Sequence, residues 1–266
     1  MTQSEFKEHI SRKGHELYRD MPWRQTTTPY YILVSELMLQ QTQVDRVRQK
    51  FDAFIERFPT IATLADASLA EVLTLWSGLG YNRRAKYLHD TAQYIQNEQS
   101  GVFPTNDAGL QQLPGVGPGT AGAIMAYAYN QPVVFIETNV RTVYLHHFFE
   151  GRDQVTDKEI AAIVAQTIDT EHPREFYWAL MDYGTWLKRQ RAGSIRASRH
   201  YKKQPALEGS VRQVRGQIVK CLATGDKTYQ QLSEAIEADD RFAPAIDGLL
   251  RDGLIQQSKK YFHLTK

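Results

Sequence analysis

Residues 113–124 read LPGVGPGTAGAI. Gly115, Gly117 and Gly119 alternate with Pro114, Val116 and Pro118, and the chain then turns apolar and helical without a break. A turn built on Gly115 and Gly117 can take positive φ and leaves no side chain over its amides. A helix starting near Pro118 points its free N–H groups and the positive end of its dipole out of that turn. Two readings follow. The segment is a tight turn between helices, or it is an anion site whose natural occupant is a phosphate.

The neighbouring stretches carry the acids. PYYILVSELMLQQTQV runs from Pro29 to Val44 with Glu36 as its only charged side chain, flanked by Ile32, Leu33, Leu37, Met38 and Leu39. A carboxylate in apolar surroundings has its pKa pushed up, as a general acid working near neutrality requires. The alternative is a half-exposed or arginine-paired glutamate. Downstream, Glu137 in VVFIETNVRTVYLHHFF precedes a helix expected from Thr138 or Asn139. It is either an N-terminal helix acid interacting with the dipole or the second of two carboxylates around a reaction centre. His146 and His147 sit on an apolar helix with no Cys or His at ligand spacing and are read as packing or surface residues. His200 is read as facing phosphate or solvent.

Apolar residues recur at three- and four-residue spacing over about 3–19, 30–56, 69–77, 83–98, 106–112, 119–130, 137–149, 156–168 and 174–188, predicting helices there. No convincing run of strands precedes residue 255. The tail predicts three helices, the second capped by Thr228 and the third closed by Gly253, then two short strands around QSKK. That order resembles a winged helix. From Lys188 to Lys220 there are ten basic residues and one acid, Glu208, in a chain of net charge +2. The stretch is a solvated linker or marks a polyanion partner. The domain reading is 1–187, a basic linker at 188–208, and 209–266.

Cys221 is the only cysteine, which excludes a disulfide framework and any four-thiolate metal or iron–sulfur site made by this chain alone. MTQSEFKEHI has no apolar core of a secretory signal, and no apolar run approaches membrane-spanning length. A soluble, cytoplasmic monomer is expected, nucleoid-associated if bacterial, with no membrane contact.

The chain resembles the helix-hairpin-helix DNA glycosylase superfamily, most closely its MutY-type adenine DNA glycosylases. The resemblance rests on PWR at 22–24, SELMLQQTQV at 35–44, LWSGLGYNRRAKYL at 75–88, LPGVGPGTAGAI at 113–124 and ALMDYG at 179–184. It implies a mainly α, two-lobed fold followed here by the small winged-helix-like unit. It implies double-stranded DNA carrying a lesion or mismatch as the partner, and a nucleotide rotated into a pocket. Glu36 matches the general acid, Glu137 the second carboxylate, and Asn139 keeps its place beside it. Arg19, Trp23, Arg24, Met181 and Asp182 match pocket positions, and Gln41 and Tyr81 match the residues that wedge into the duplex. The backbone of Gly115, Val116, Gly117, Gly119 and Thr120 would hold a phosphate. Adenine opposite guanine or 8-oxoguanine is the implied target. A uracil, a mismatched thymine or an oxidised pyrimidine is the alternative, as is a non-catalytic DNA-binding protein.

Four departures stand out. The family's second carboxylate is an aspartate before GNV, whereas here Glu137 precedes TNV. Lyase-type relatives carry a lysine where this chain has Gly119, so no Schiff base is expected at that position. The cluster cysteines fall on Lys188, Ile195, Ser198 and Gln204, none of which replaces a thiolate, so no cofactor or metal is expected. The tail differs from the usual domain that reads the opposing base.

Overall fold

Short polar residues set the helix starts. Thr2 with Glu5, Ser68 with Glu71, Thr156 with Glu159 and Thr228 with Gln231 each form a reciprocal capping box. The computed structural model describes residues 2–190, 197–200 and 205–266. The helices are α1 (Gln3–Leu17), α2 (Pro29–Leu39), α3 (Val44–Arg57), α4 (Ile61–Ala65), α5 (Leu69–Trp76), α6 (Arg83–Glu98), α7 (Asp107–Gln111), α8 (Pro118–Tyr127), α9 (Thr138–Phe148), α10 (Asp157–Thr167), α11 (Pro173–Arg189), α12 (Val211–Leu222), α13 (Tyr229–Ala235) and α14 (Phe242–Arg251). A 3-10 turn covers Pro22–Arg24, and three short strands are β1 (Lys227–Thr228), β2 (Ile255–Ser258) and β3 (Tyr261–Leu264). No helix of the described residues is long and apolar enough to cross a membrane.

The sequence reading differs from this at three places. The helix expected over 30–56 is two helices, because the polar run Gln40–Gln43 interrupts it and Gln41 takes the left-handed conformation, φ 54°. The short α4 carries too few residues for periodicity to register, although Thr60 and Thr63 cap it reciprocally. A strand precedes residue 255: Lys227–Thr228 pairs with Tyr261 and Phe262, and two residues leave no alternation to read. Thr228 caps α13 and Gly253, at φ 66°, follows α14, both as expected.

Contacts divide the chain into two compact units. One comprises Met1–Ile32, Pro104–Gln112 and Val116–Lys203; the other comprises Leu33–Phe103, Leu113–Gly115 and Gln204–Lys266. In the first, α1, α9, α10 and α11 pack around Phe6, Ile10, Tyr144 and Tyr177, all fully buried. Each such side chain contributes roughly 1.5–3 kcal/mol by leaving water. Phe6 lies 5.1 Å from the Tyr144 ring, and Phe135 stacks on Tyr177 at 4.1 Å. Gly184 lets α11 touch α9: a Cβ there would lie 2.7 Å from the Asn139 carbonyl oxygen.

His147 belongs to this core. Its Nε2 lies 3.0 Å from the Tyr183 hydroxyl and its ring meets Phe6 and His9, and burial lowers its pKa to about 4. That agrees with the packing reading, and no metal-holding group of three His, Cys, Asp or Glu occurs among the described residues. Between pH 6.5 and 4 the unfolded chain binds a proton that the folded one refuses, so His147 adds stability above this window that drains away as pH falls through it. The slope is at most about 1.4 kcal/mol per pH unit. Subtracting the urea stability of His147→Gln from that of the parent at each pH should isolate this slope; a difference flat from pH 7 to 4 would contradict it.

In the second unit, α3, α5 and α6 bury Phe54, Phe58, Trp76 and Leu88. The tail within it runs α12–β1–α13–α14–β2–β3 with sheet order β1-β3-β2, all antiparallel, around Ile218, Leu232, Leu249 and Leu254. This is the element order of a winged helix.

Candidate active site

Glu36 lies on α2 in the second unit and is partly exposed, while Leu33, Val34, Ser35, Leu37 and Met38 around it are fully buried. Five apolar or small neighbours thus fix the helix face, and the single acid sits at its margin.

The two wedge candidates share one unit and one conformational oddity. Gln41 at φ 54° and Tyr81 at φ 49° both occupy the left-handed region that non-glycine residues rarely take. Arg84 on α6 explains how both are held. Its Nη1 donates to the carbonyls of Leu37 (2.7 Å), Met38 (2.9 Å) and Gln40 (2.5 Å), closing the end of α2 just before Gln41. Its Nη2 donates to the carbonyls of Leu79 (3.2 Å) and Gly80 (2.9 Å) and to the Thr42 hydroxyl (3.0 Å), just before Tyr81. One buried guanidinium therefore clamps both loops. Burial lowers its pKa to about 10, which still leaves it charged. Sequence reasoning passed over Arg84. The available signal was a pair of arginines in the first turn of a helix with no acid there, where the dipole disfavours a cation.

Gly115 also belongs to this unit. It has φ 75°, and a Cβ on it would lie 2.6 Å from Tyr87 Cβ, so conformation and packing both demand glycine.

The first unit holds the remaining candidates. Gly117 caps α8 with Pro118 as the first helical residue, and a Cβ at Gly117 or Gly119 would meet nothing within 4 Å. Gly117 and Gly119 are exposed, Thr120 is partly exposed and Val116 is buried. The start of α8 is bare backbone, as an approaching phosphate requires.

Glu137 is the N-cap of α9. Its Oε1 accepts from the backbone N–H of Asn139 at 2.5 Å and of Val140 at 3.1 Å. Burial of the carboxyl raises its pKa; the two N–H bonds, Lys188 and Arg141 pull the other way without cancelling the rise. Lys188 answers with a lowered pKa caused by desolvation, although its residue as a whole is exposed. Asn139 docks on α11 through Met181 Sδ at 3.6 Å and the Thr185 hydroxyl at 3.5 Å. The dipole-cap reading of Glu137 is thus realised in the fold.

Arg19, Arg24 and Asp182 are committed to one another. Arg24 donates to both Asp182 oxygens at 2.7 and 3.0 Å, and Arg19 Nε donates at 2.6 Å. The Arg24 and Asp182 side chains are 4% and 1% exposed. Trp23 is buried beside them in sequence, and Met181 is partly exposed. Of the positions matching cluster cysteines, Lys188 lies in the last turn of α11 and Ser198 is buried, while Ile195 and Gln204 lie outside the described residues. So do Arg191, Arg196, Lys202 and Lys203 of the basic stretch. His200 is exposed.

An adenine DNA glycosylase of Mycolicibacterium smegmatis is 37% identical over 264 residues, covering 90% of this chain and 89% of its own. One of Mycobacterium tuberculosis is 34% identical over 267 residues, covering 91% and 87%. The solved structure of a thermostable thymine-DNA glycosylase is 26% identical, with TM-score 0.63 over 68% of this chain and 85% of that one. Residues 34–169, from the helix of Glu36 to the end of α10, match the family model described as HhH-GPD superfamily base excision DNA repair protein. With the glycine-started α8, the acid on α2 and the capping carboxylate of α9 all inside that match, the chain belongs to the HhH-GPD superfamily of base excision DNA repair proteins.

Proposed function

We propose that this chain is a monofunctional DNA N-glycosylase that removes adenine mispaired with guanine or 8-oxoguanine, acting as a monomer on duplex DNA. The likeness to two adenine DNA glycosylases over about nine-tenths of the chain carries the choice of base. Glu36 protonates a ring nitrogen of the flipped adenine, the C1′–N9 bond breaks, and the base leaves neutral. The Glu137 carboxylate steadies the resulting oxocarbenium ion, as paired acids do in glycoside hydrolysis. Water then attacks C1′, its proton passing to the Glu36 carboxylate, and leaves an abasic site. Glu137 must be ionised for this role. Burial works against this by raising its pKa, and Lys188 and Arg141 favour the anion.

Single-turnover reactions on duplexes pairing A with G, A with 8-oxoguanine, and T or U with G, each finished with alkali, decide the substrate. Cleavage of the adenine strand is the expected outcome. Preferential cleavage at T or U would reassign the enzyme to the pyrimidine class, to which the thymine-DNA glycosylase likeness points.

Gly119 offers no nucleophile, and Thr120 is a poor one without an adjacent base. Borohydride is therefore expected to trap no covalent protein–DNA adduct with the parent. Gly119→Lys has open space for its side chain at the start of α8, where the dipole favours a neutral amine. That variant should become trappable. Efficient trapping of the parent would contradict the monofunctional assignment.

A further inference from the structure

The tail helix α12 reaches the wedge. Arg212 sets its guanidinium 4.7 Å from the centroid of the Tyr81 ring, and its Nη1 donates to the Tyr81 hydroxyl. Its Nη2 donates to the Pro205 carbonyl at 3.2 Å. Helix α12 is itself fixed: Arg215 pairs with Asp252 at 2.5 Å, and Asp252 also takes Arg83 of α6 at 3.0 Å. The third helix of the tail, α14, carries one arginine and one aspartate, Arg251 and Asp247, so the positive charge of the tail helices is concentrated on α12.

Beside Tyr81 lies a cleft of about 780 Å³, walled by the Gln41 and Tyr81 loops on one side and α12 on the other. Among the described residues its charged lining is Arg46, Lys50, Arg212 and Lys220, with no carboxylate. Four cations without an acid suit a phosphodiester backbone. A ring that inserts into a base stack needs its faces for bases, and a guanidinium on one of them obstructs that. Arg84 also lies 5.4 Å from the Tyr81 centroid, but it is committed to backbone carbonyls. Arg212 is the releasable partner, since besides Tyr81 it holds one carbonyl.

We propose that Arg212 is a positioning residue that parks the Tyr81 ring, and that a DNA phosphate entering the cleft takes the guanidinium and releases the ring for insertion. The tail thereby couples duplex binding to wedging. This rests on the reading of Tyr81 as a wedge, and not on which base is excised.

The test uses a duplex with a tetrahydrofuran abasic analogue and a neighbouring 2-aminopurine, so nothing is excised and the fluorescence transient reports insertion alone. At saturating full-length protein, Arg212→Ala and Arg212→Gln should each insert about fivefold faster than the parent, the size expected for losing one cation–π contact and its hydrogen bond. Both should bind with a salt slope shallower by about one phosphate. The glutamine variant keeps part of the aliphatic stem in case alanine disturbs α12, and helical circular dichroism verifies each fold. Folded variants that insert at the parental rate or slower overturn the proposal. A parent that gives no stacking transient at all overturns it together with the wedge assignment, while the alkali-cleavage panel still decides the excised base.

Discussion

Replacing Glu36 with glutamine is expected to slow base excision on the order of a thousandfold, the range for removing a general acid, while duplex affinity stays within about threefold. Glutamine matches glutamate in size and keeps the helix, so the partly exposed position on α2 and the buried Leu33, Leu37 and Met38 are undisturbed. On the proposed mechanism, what disappears is the proton for the leaving purine, whose departure as an anion is far harder. Single-turnover kinetics at saturating enzyme and a titration of fluorescent duplex separate the two effects. A variant that keeps the parental single-turnover rate would remove Glu36 from the mechanism. One that loses affinity in parallel would make it a structural or DNA-contacting residue instead.

Asp182→Ala is expected to lower unfolding stability by about 3–5 kcal/mol, because it strands a buried guanidinium with no counter-charge. The resemblance places Arg19, Arg24 and Asp182 around a base pocket, and their hydrogen bonds also brace the turn at Pro22–Arg24 against α11. Arg24 also lies 5.4 Å from both the Tyr18 and Trp178 rings, so it cannot swing out to water without breaking packing. Replacing Arg24 and Asp182 together by leucines should recover most of the loss, since a buried ion pair and an apolar pair of similar volume differ little. Urea midpoints of the single and double variants measure this. A loss below about 1 kcal/mol in the single variant would show that Arg24 finds solvent or another acceptor.

How much was legible in the sequence follows from what kind of interaction each residue makes. Local rules were enough for the caps: Thr228 before α13, Pro118 after a bare glycine, and Gly253 after α14 are each fixed within four residues. The acid on α2 was legible because charge against an apolar run is a contrast visible along the chain. How the break between α2 and α3 is held was not, because Arg84, more than forty residues away, collects the carbonyls of Leu37, Met38 and Gln40. The commitment of Asp182 to Arg19 and Arg24 spans about 160 residues and leaves no periodic trace. For Glu137 one of the two readings is realised. It is an N-terminal helix acid as one reading held, and its raised pKa now sets a condition on the other. Arg212 was read only as part of a basic stretch, since charge counting has no way to register a contact with Tyr81.

The claim that the chain hydrolyses the glycosidic bond of mispaired adenine is tested most directly by identifying the released base. Duplex carrying adenine opposite 8-oxoguanine is incubated with parent and with Glu36→Gln, and the small-molecule fraction is resolved by mass spectrometry while abasic sites are counted in the strand. Free adenine in one-to-one ratio with abasic sites is expected for the parent, and neither product for the variant. Release of a different base, or an unaltered strand from the parent across every mismatch tried, would contradict it.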